Sequence, residues 1–239
     1  MAYYVVWRHI SPKVGKEDEV LEALKPVVQY AKDNNSKGIL GMWVWRQVPE
    51  DTSTGIVPWV YREDKGRPFT GEQPAIMTQE VYVTEDDYGA INNSMAYLTF
   101  ETVTGHMLAG PPQEQHLTPR AGFPFRNDKP CKTTDKLYAV TARVAYKEGT
   151  LLQGVQCWNT VTSYVKKEEV DGTVMYWFLT DRYDKVGLYS LEVYRDEEAF
   201  DVHKVCDAVV NNRNNQVDNL NIRTGVNIRV LKQEMSSFD

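Results

Sequence analysis

The chain has 239 residues, 42% of them hydrophobic and 25% charged, a balance that belongs to a folded protein with one large core or two of ordinary domain size and excludes a disordered chain. A net charge of -6 without any basic run withholds the attraction that carries most nucleic-acid and anionic-membrane binding, so neither partner is expected. Cys131, Cys157 and Cys206 are too few and too scattered for a disulfide framework or a zinc-ligand spacing. With no signal-like N-terminus and no long apolar run, a cytoplasmic protein with reduced thiols is expected.

Taken in order, 3–10 is dense in β-branched and aromatic residues and predicts a strand. Val20, Leu24, Val27 and Ala31 then fall on one stripe of a helix, which Pro26 should kink or restart. Strands are expected at 40–47 and 79–83, and between them 49–78 is rich in Pro and Gly and reads as a long loop with room for a short strand at 56–61. Thr84 is a good N-cap for a second helix, and a closing strand is placed somewhere in 99–107.

A Pro/Gly-rich stretch follows, after which the pattern starts again. A strand at 137–146 leads to a helix with Leu151, Val155, Trp158 and Thr162 on one stripe. Strands at 173–181 and 187–194, a helix capped by Asp196 and a last strand at 222–233 complete it.

The two passes share sequence. Glu80-Val81-Tyr82-Val83-Thr84-Glu85-Asp86-Asp87-Tyr88 returns as Glu192-Val193-Tyr194-Arg195-Asp196-Glu197-Glu198-Ala199-Phe200 at a shift of 112. Tyr3 to Arg8 pairs with Tyr138 to Arg143 at 135, and Met42 to Trp45 with Met175 to Phe178 at 133, so the first pass carries an insertion of about 21 residues. The expected organisation is a first repeat at 1–104 with its insertion at 49–78, a linker at 105–135, and a second repeat at 136–239. Each repeat reads βαββαβ, the split βαβ order of a ferredoxin-like unit. Such a unit leaves one sheet face bare, so the expected fold class is α+β, two ferredoxin-like repeats packed sheet to sheet as an intramolecular dimeric α/β barrel.

Two segments carry a resemblance to a known family. Ser11-Pro12-Lys13-Val14-Gly15-Lys16-Glu17 resembles the Pro-Gly-Lys-Glu opening of the first helix in the antibiotic-biosynthesis-monooxygenase family, and the run from Glu192 to His203 is similar to that family's Glu-x-Trp-x-Asp-x-x-Ala-Phe-x-x-His segment. In its oxidising members, an Asn beside an Arg on the first strand and a Trp at the end of the third line the pocket. Arg8 and Arg143 match that Arg, Trp7 and Ala142 replace the Asn, and Tyr82 and Tyr194 replace the Trp. Val209 and Asn211 stand near where haem-degrading members carry their haem ligand, so no haem is expected, nor any other cofactor or metal.

Among the residues themselves, His203 shares an apolar helix stripe with Ala199, Cys206 and Val210; Ile91 is its counterpart in the first repeat. Two readings stand for it: a neutral core histidine hydrogen-bonded once, or an acid or base lining a pocket. Arg143, mid-strand, needs an anion, which is either Glu192 or a bound phenolate or enolate. Tyr194, Trp177 and Trp158 either wall a flat ligand or pack a core, with Cys206 beside them. His106, His116, Arg120 and Arg126 fall in the expected linker and read as solvated.

The resemblance implies a cofactor-independent monooxygenase that uses O2 on a small apolar or aromatic, electron-rich metabolite or a lipid-derived substrate. In that scheme His203 moves the proton, Arg143 steadies the anion and Tyr194, Trp177 and Trp158 fix the ring. A cyclase, isomerase or dehydratase using the same pocket, and a non-catalytic ligand-binding or stress-response protein, are the other readings. The chain is expected as a monomeric pseudo-dimer or a homodimer.

Overall fold

The computed structural model describes residues 3–48, 76–126 and 137–238. Eight strands and six helices follow in the order β1 (Tyr4–Ile10), α1 (Glu17–Asp33), β2 (Ile39–Gln47), β3 (Ile76–Tyr82), α2 (Glu85–Asn92), α3 (Met95–Thr104), β4 (Gln113–Phe123), β5 (Tyr138–Tyr146), α4 (Leu151–Glu168), β6 (Thr173–Asp181), β7 (Gly187–Tyr194), α5 (Glu197–Val205), α6 (Asp207–Asn214) and β8 (Arg223–Ser236). The strands close one antiparallel barrel in the order β1-β3-β2-β8-β5-β7-β6-β4. Within it each repeat keeps the ferredoxin-like order, last strand beside first, then third, then second. The two sheets are joined where β2 pairs with β8 and β4 with β6. Neither repeat is left with a bare sheet face or an open edge. The chain is therefore α+β, a tandem of ferredoxin-like repeats closed as an intramolecular dimeric α/β barrel.

Period-two alternation divides each strand between two environments. Val5, Trp7, Trp43, Trp45, Met77, Val81, Trp177, Tyr189, Leu191 and Leu231 fill the barrel. Val6, Ile10, Met42, Val44 and Tyr82 face outward to α1 and α3, and Val144, Tyr146, Tyr176 and Phe178 face outward to α4. The stripe Val20, Leu24, Val27 and Ala31 is buried as expected, but α1 runs through Pro26 as one helix and does not restart there.

Two further expectations are corrected. Residues 95–104 form α3, started by the Ser94 side chain accepting from the Tyr97 amide, so no strand occupies 99–107. The closing strand of the first repeat is β4, inside the stretch read as linker. Its Pro119 and Gly122, which read as loop signals, instead lie within the pairing with β6: Pro119 borders a register shift between Pro119 and Ala121, and Gly122 pairs with Trp177 just beyond it. Gly122 has φ +89°, and a Cβ on it would lie 1.9 Å from the Tyr176 carbonyl oxygen, so only glycine lets the two backbones come this close.

Strand pairing also corrects the internal alignment. Tyr4 pairs with Tyr82 and Tyr138 with Tyr194, while Trp43 pairs with Gln79 and Trp177 with Leu191. Both early shifts are therefore 134, and Arg8 corresponds to Ala142, not to Arg143, whose counterpart is His9. One residue of slip exchanges the two faces of a strand. Most of the expected insertion, including 56–61, lies outside the described residues, as does Cys131; Ile76 to Thr78 already belong to β3.

Candidate acid-base site under the second repeat's helices

On β7, Ser190, Glu192 and Tyr194 occupy i, i+2 and i+4 and so share the outward face. Ser190 Oγ donates to Glu192 Oε1 at 3.0 Å and Tyr194 Oη to Oε2 at 2.9 Å. Asp196 caps α5 through the Ala199 amide and sets the helix so that His203, about two turns later, turns back onto the sheet, 2% exposed. Its Nε2 lies 3.8 Å from Glu192 Oε2. Its Nδ1 lies 2.9 Å from Glu169 Oε2 and 3.0 Å from Oε1. Glu169 caps the C-terminus of α4, and Thr173 donates to it at 2.7 Å. Against the ring of His203 pack Tyr176, at 5.0 Å between centroids, and Tyr194, at 5.3 Å.

The result is a carboxylate–imidazole–carboxylate line whose two ends differ, Glu192 and His203 being buried and Glu169 half-buried. Burial pushes Glu192 up from the usual carboxylate range, only partly offset by the His203 charge and the Tyr194 and Ser190 hydrogen bonds. Burial acts on Glu169 in the same sense, but the His203 and Thr173 hydrogen bonds outweigh it and hold this carboxyl low. The two carboxyls flanking one imidazole are thus pushed in opposite directions. Tyr194 and Tyr176 are held well above their ordinary value, mainly by burial, and stay protonated as hydroxyl donors. The Tyr176 hydroxyl is buried and has no hydrogen-bond partner among the described residues.

The residues singled out from sequence divide between two faces of the sheet. His203, Tyr194 and Cys206 meet in this cluster; Cys206 is half-buried at the break between α5 and α6, its thiol pushed up by burial. Trp158 lies in the same layer further along α4, stacked on Phe178 at 4.7 Å and donating to the Tyr146 hydroxyl at 3.0 Å. Trp177 and Arg143 are on the barrel face. Trp177 packs edge-on to Tyr3 at 5.9 Å. Arg143 Nε donates to Asp184 Oδ2 at 2.7 Å, and Tyr189 donates to the same oxygen, so its carboxylate is Asp184 and not Glu192.

Glu169, Tyr176 and Ser190 were not singled out by the sequence. The signal for Glu169 was faint: an acidic residue at a helix C-terminus, where the dipole disfavours it. Nor are the expected linker residues simply solvated. His116 Nδ1 lies 2.7 Å from the Tyr4 hydroxyl, Arg120 donates to Thr180, and Arg126 donates to the Val165, Lys166, Glu169 and Thr173 carbonyls.

In the first repeat the same motif recurs as Thr78, Glu80 and Tyr82, with both hydroxyls donating to Glu80. Here the counter-charge comes from the strand. Arg8 meets Glu80 at 2.7 Å through Nε and 3.2 Å through Nη2, and also reaches Tyr97, Asn92 and Glu114. The helix position that His203 holds in the second repeat is Ile91, and the strand position of Arg8 is Ala142. A fixed guanidinium thus serves one buried glutamate and a titratable imidazole the other.

The architecture defines the class: a single-chain, two-repeat dimeric α/β barrel with an ionisable cluster between sheet and helices. Solved structures share its fold over nearly the whole chain. A "putative monooxygenase" from Fusobacterium nucleatum superposes with TM-score 0.77 at 15% identity, covering 98% of this chain and 94% of that one. A protein of the same description from Lactobacillus acidophilus gives 0.73 at 10% identity, covering 99% and 96%. An anthrone oxidase-like protein gives 0.62 at 8%, covering 98% and 92%. The resemblance read from sequence holds at the level of fold. No protein-family model and no curated protein matches the sequence.

Proposed function

We propose that the chain is an oxygenase for a small, electron-rich, weakly acidic metabolite, phenolic, polyketide-like or lipid-derived, bound beneath α5 of the second repeat. The His203 imidazole, oriented by Glu169, takes the substrate proton, and Glu192 receives or returns it. The resulting carbanion or phenolate passes an electron to O2; recombination gives a hydroperoxide, and loss of water leaves a carbonyl where a methylene stood, with O2 accounted for by one oxygen in product and one in water. The buried hydroxyl of Tyr176 steadies the anion, since Arg143 lies on the other face of the sheet and Tyr194 already donates to Glu192. One observation carries this reading: a Glu169–His203–Glu192 line, buried at His203 and Glu192 and half-buried at Glu169, its carboxyls shifted oppositely, facing a hydroxyl without a hydrogen-bond partner among the described residues. Support also comes from the fold shared with proteins described as monooxygenase or anthrone oxidase-like.

The test is incubation with phenols, anthrone-like compounds and oxylipins, with and without O2, reading product masses. Wild type is expected to add oxygen only in air, and His203→Gln to lose at least about a hundredfold in rate. Product formed equally without O2 would move the site to the cyclase, isomerase or dehydratase class, and no product with any substrate would favour a binding protein.

A further inference from the structure

The cluster holds a donor set of which the proton chemistry uses the carboxylate and the imidazole but not the thiol. Glu169 at the end of α4, His203 in the last turn of α5 and Cys206 at the α5–α6 break each present one ligand atom, and these atoms lie within 4.8 Å of one another. We infer that this trio binds a thiophilic divalent cation, of which zinc is the type.

Carboxylate oxygen, imidazole nitrogen and sulfur together suit a borderline-soft ion such as zinc. Magnesium and calcium call for oxygens alone. The outer partners are those a metal site needs. Thr173 holds Glu169 from behind by a hydrogen bond of 2.7 Å, and the Glu192 carboxylate stands 3.8 Å from the far nitrogen of His203, close enough to favour a positive charge on the ring.

Tyr176 is an independent pointer. Its hydroxyl is fully buried, lacks a hydrogen-bond partner among the described residues, and lies within the electrostatic reach of Glu192, Glu169 and Cys206. A cation with three protein ligands keeps a solvent oxygen in its fourth position, and that oxygen would give the hydroxyl its partner. The first repeat is a built-in control, since Asn35, Ile91 and Ser94 stand where Glu169, His203 and Cys206 stand in the second.

This inference goes beyond the proposed reaction and does not rest on it. A cation here would occupy His203 Nδ1 and Glu169 and so would stop proton transfer. Metal-free full-length protein is titrated with Co2+, then with Zn2+. One equivalent of Co2+ is expected to give a thiolate-to-cobalt charge-transfer band that Zn2+ displaces. Cys206→Ser should abolish the band, Glu169→Gln should weaken binding about tenfold or more, and Cys157→Ser should change neither. Cys206 is only half-buried, so its serine variant is expected to keep the native circular dichroism. No saturable one-to-one binding, or a band that survives Cys206→Ser, overturns the inference. Turnover is read separately: metal binding with no oxygenation by the metal-free protein would remove the proposed reaction and leave the metal site standing.

Discussion

Glu80 and Glu192 are the same residue used twice, each buried, each accepting from a hydroxyl two residues before it and a tyrosine two residues after it. What differs is the cation. Removing one partner of a buried pair leaves an uncompensated charge, so Arg8→Ala is expected to cost about 3 to 5 kcal/mol in chemical denaturation. Because Arg8 corresponds to Ala142 and Ile91 to His203, the double variant Arg8→Ala with Ile91→His sets an imidazole beside the first repeat's glutamate, as in the second, though with Asn35 where Glu169 stands. It should recover part of the loss at pH 6, and a double variant no more stable than the single one would reject the equivalence. This pairing was only half legible in the sequence. The glutamates and tyrosines stand out as a repeat at 112, and the helix stripe aims His203 at the sheet. Two matching arginines invited a shift of 135, however, and only hydrogen-bonded register distinguishes it from 134. Glu169 was hidden because it reaches His203 across 34 residues of sequence.

At the scale of elements, strands and helices with a clean period were readable to within a few residues. The segments that misled were those whose composition serves a second purpose. In β4, Pro and Gly accompany a shift in pairing that lets one strand serve β1 with its first half and β6 with its second. In α3, apolar residues on nearly every side imitate a strand; Tyr97 and Phe100 are buried while Met95 and Leu98 are exposed. Beyond β4, Arg126 reaches the end of α4 and donates to three carbonyls there and to that of Thr173 at the start of β6, satisfying groups that a helix terminus otherwise leaves open. The first repeat's chain thereby fixes the helix end that carries Glu169. Arg126→Ala should cost about 2 kcal/mol and speed amide exchange in the last turn of α4, with α1 unchanged as internal reference. Equal protection in variant and wild type would show the clasp to be dispensable.

For the whole molecule, closure means that neither repeat is complete without the other. The β2–β8 and β4–β6 pairings join the sheets, and the barrel core draws on both repeats. A single cut between Phe125 and Tyr138 should therefore leave the two pieces co-eluting under native conditions and separating only in denaturant. The barrel also sets a pH limit through His9, whose half-buried ring lies 3.1 Å from Gln115 Oε1. Burial first, and then the charge of Arg229, lower its pKa to about 4 against the raising effect of Gln115. In the unfolded chain it titrates near its ordinary value of about 6.5. Between those two values the unfolded state holds a proton that the folded state refuses, so stability is complete above the upper value and falls as pH drops through the window. The loss amounts to at most about 3 kcal/mol, since each tenfold drop in proton affinity on folding corresponds to about 1.4 kcal/mol. Denaturant midpoints measured from pH 7 to pH 4 should thus decline more steeply for wild type than for His9→Gln, whose amide is neutral throughout. Parallel curves for the two proteins would mean that acid sensitivity arises elsewhere and that His9 accepts its proton without disturbing the barrel.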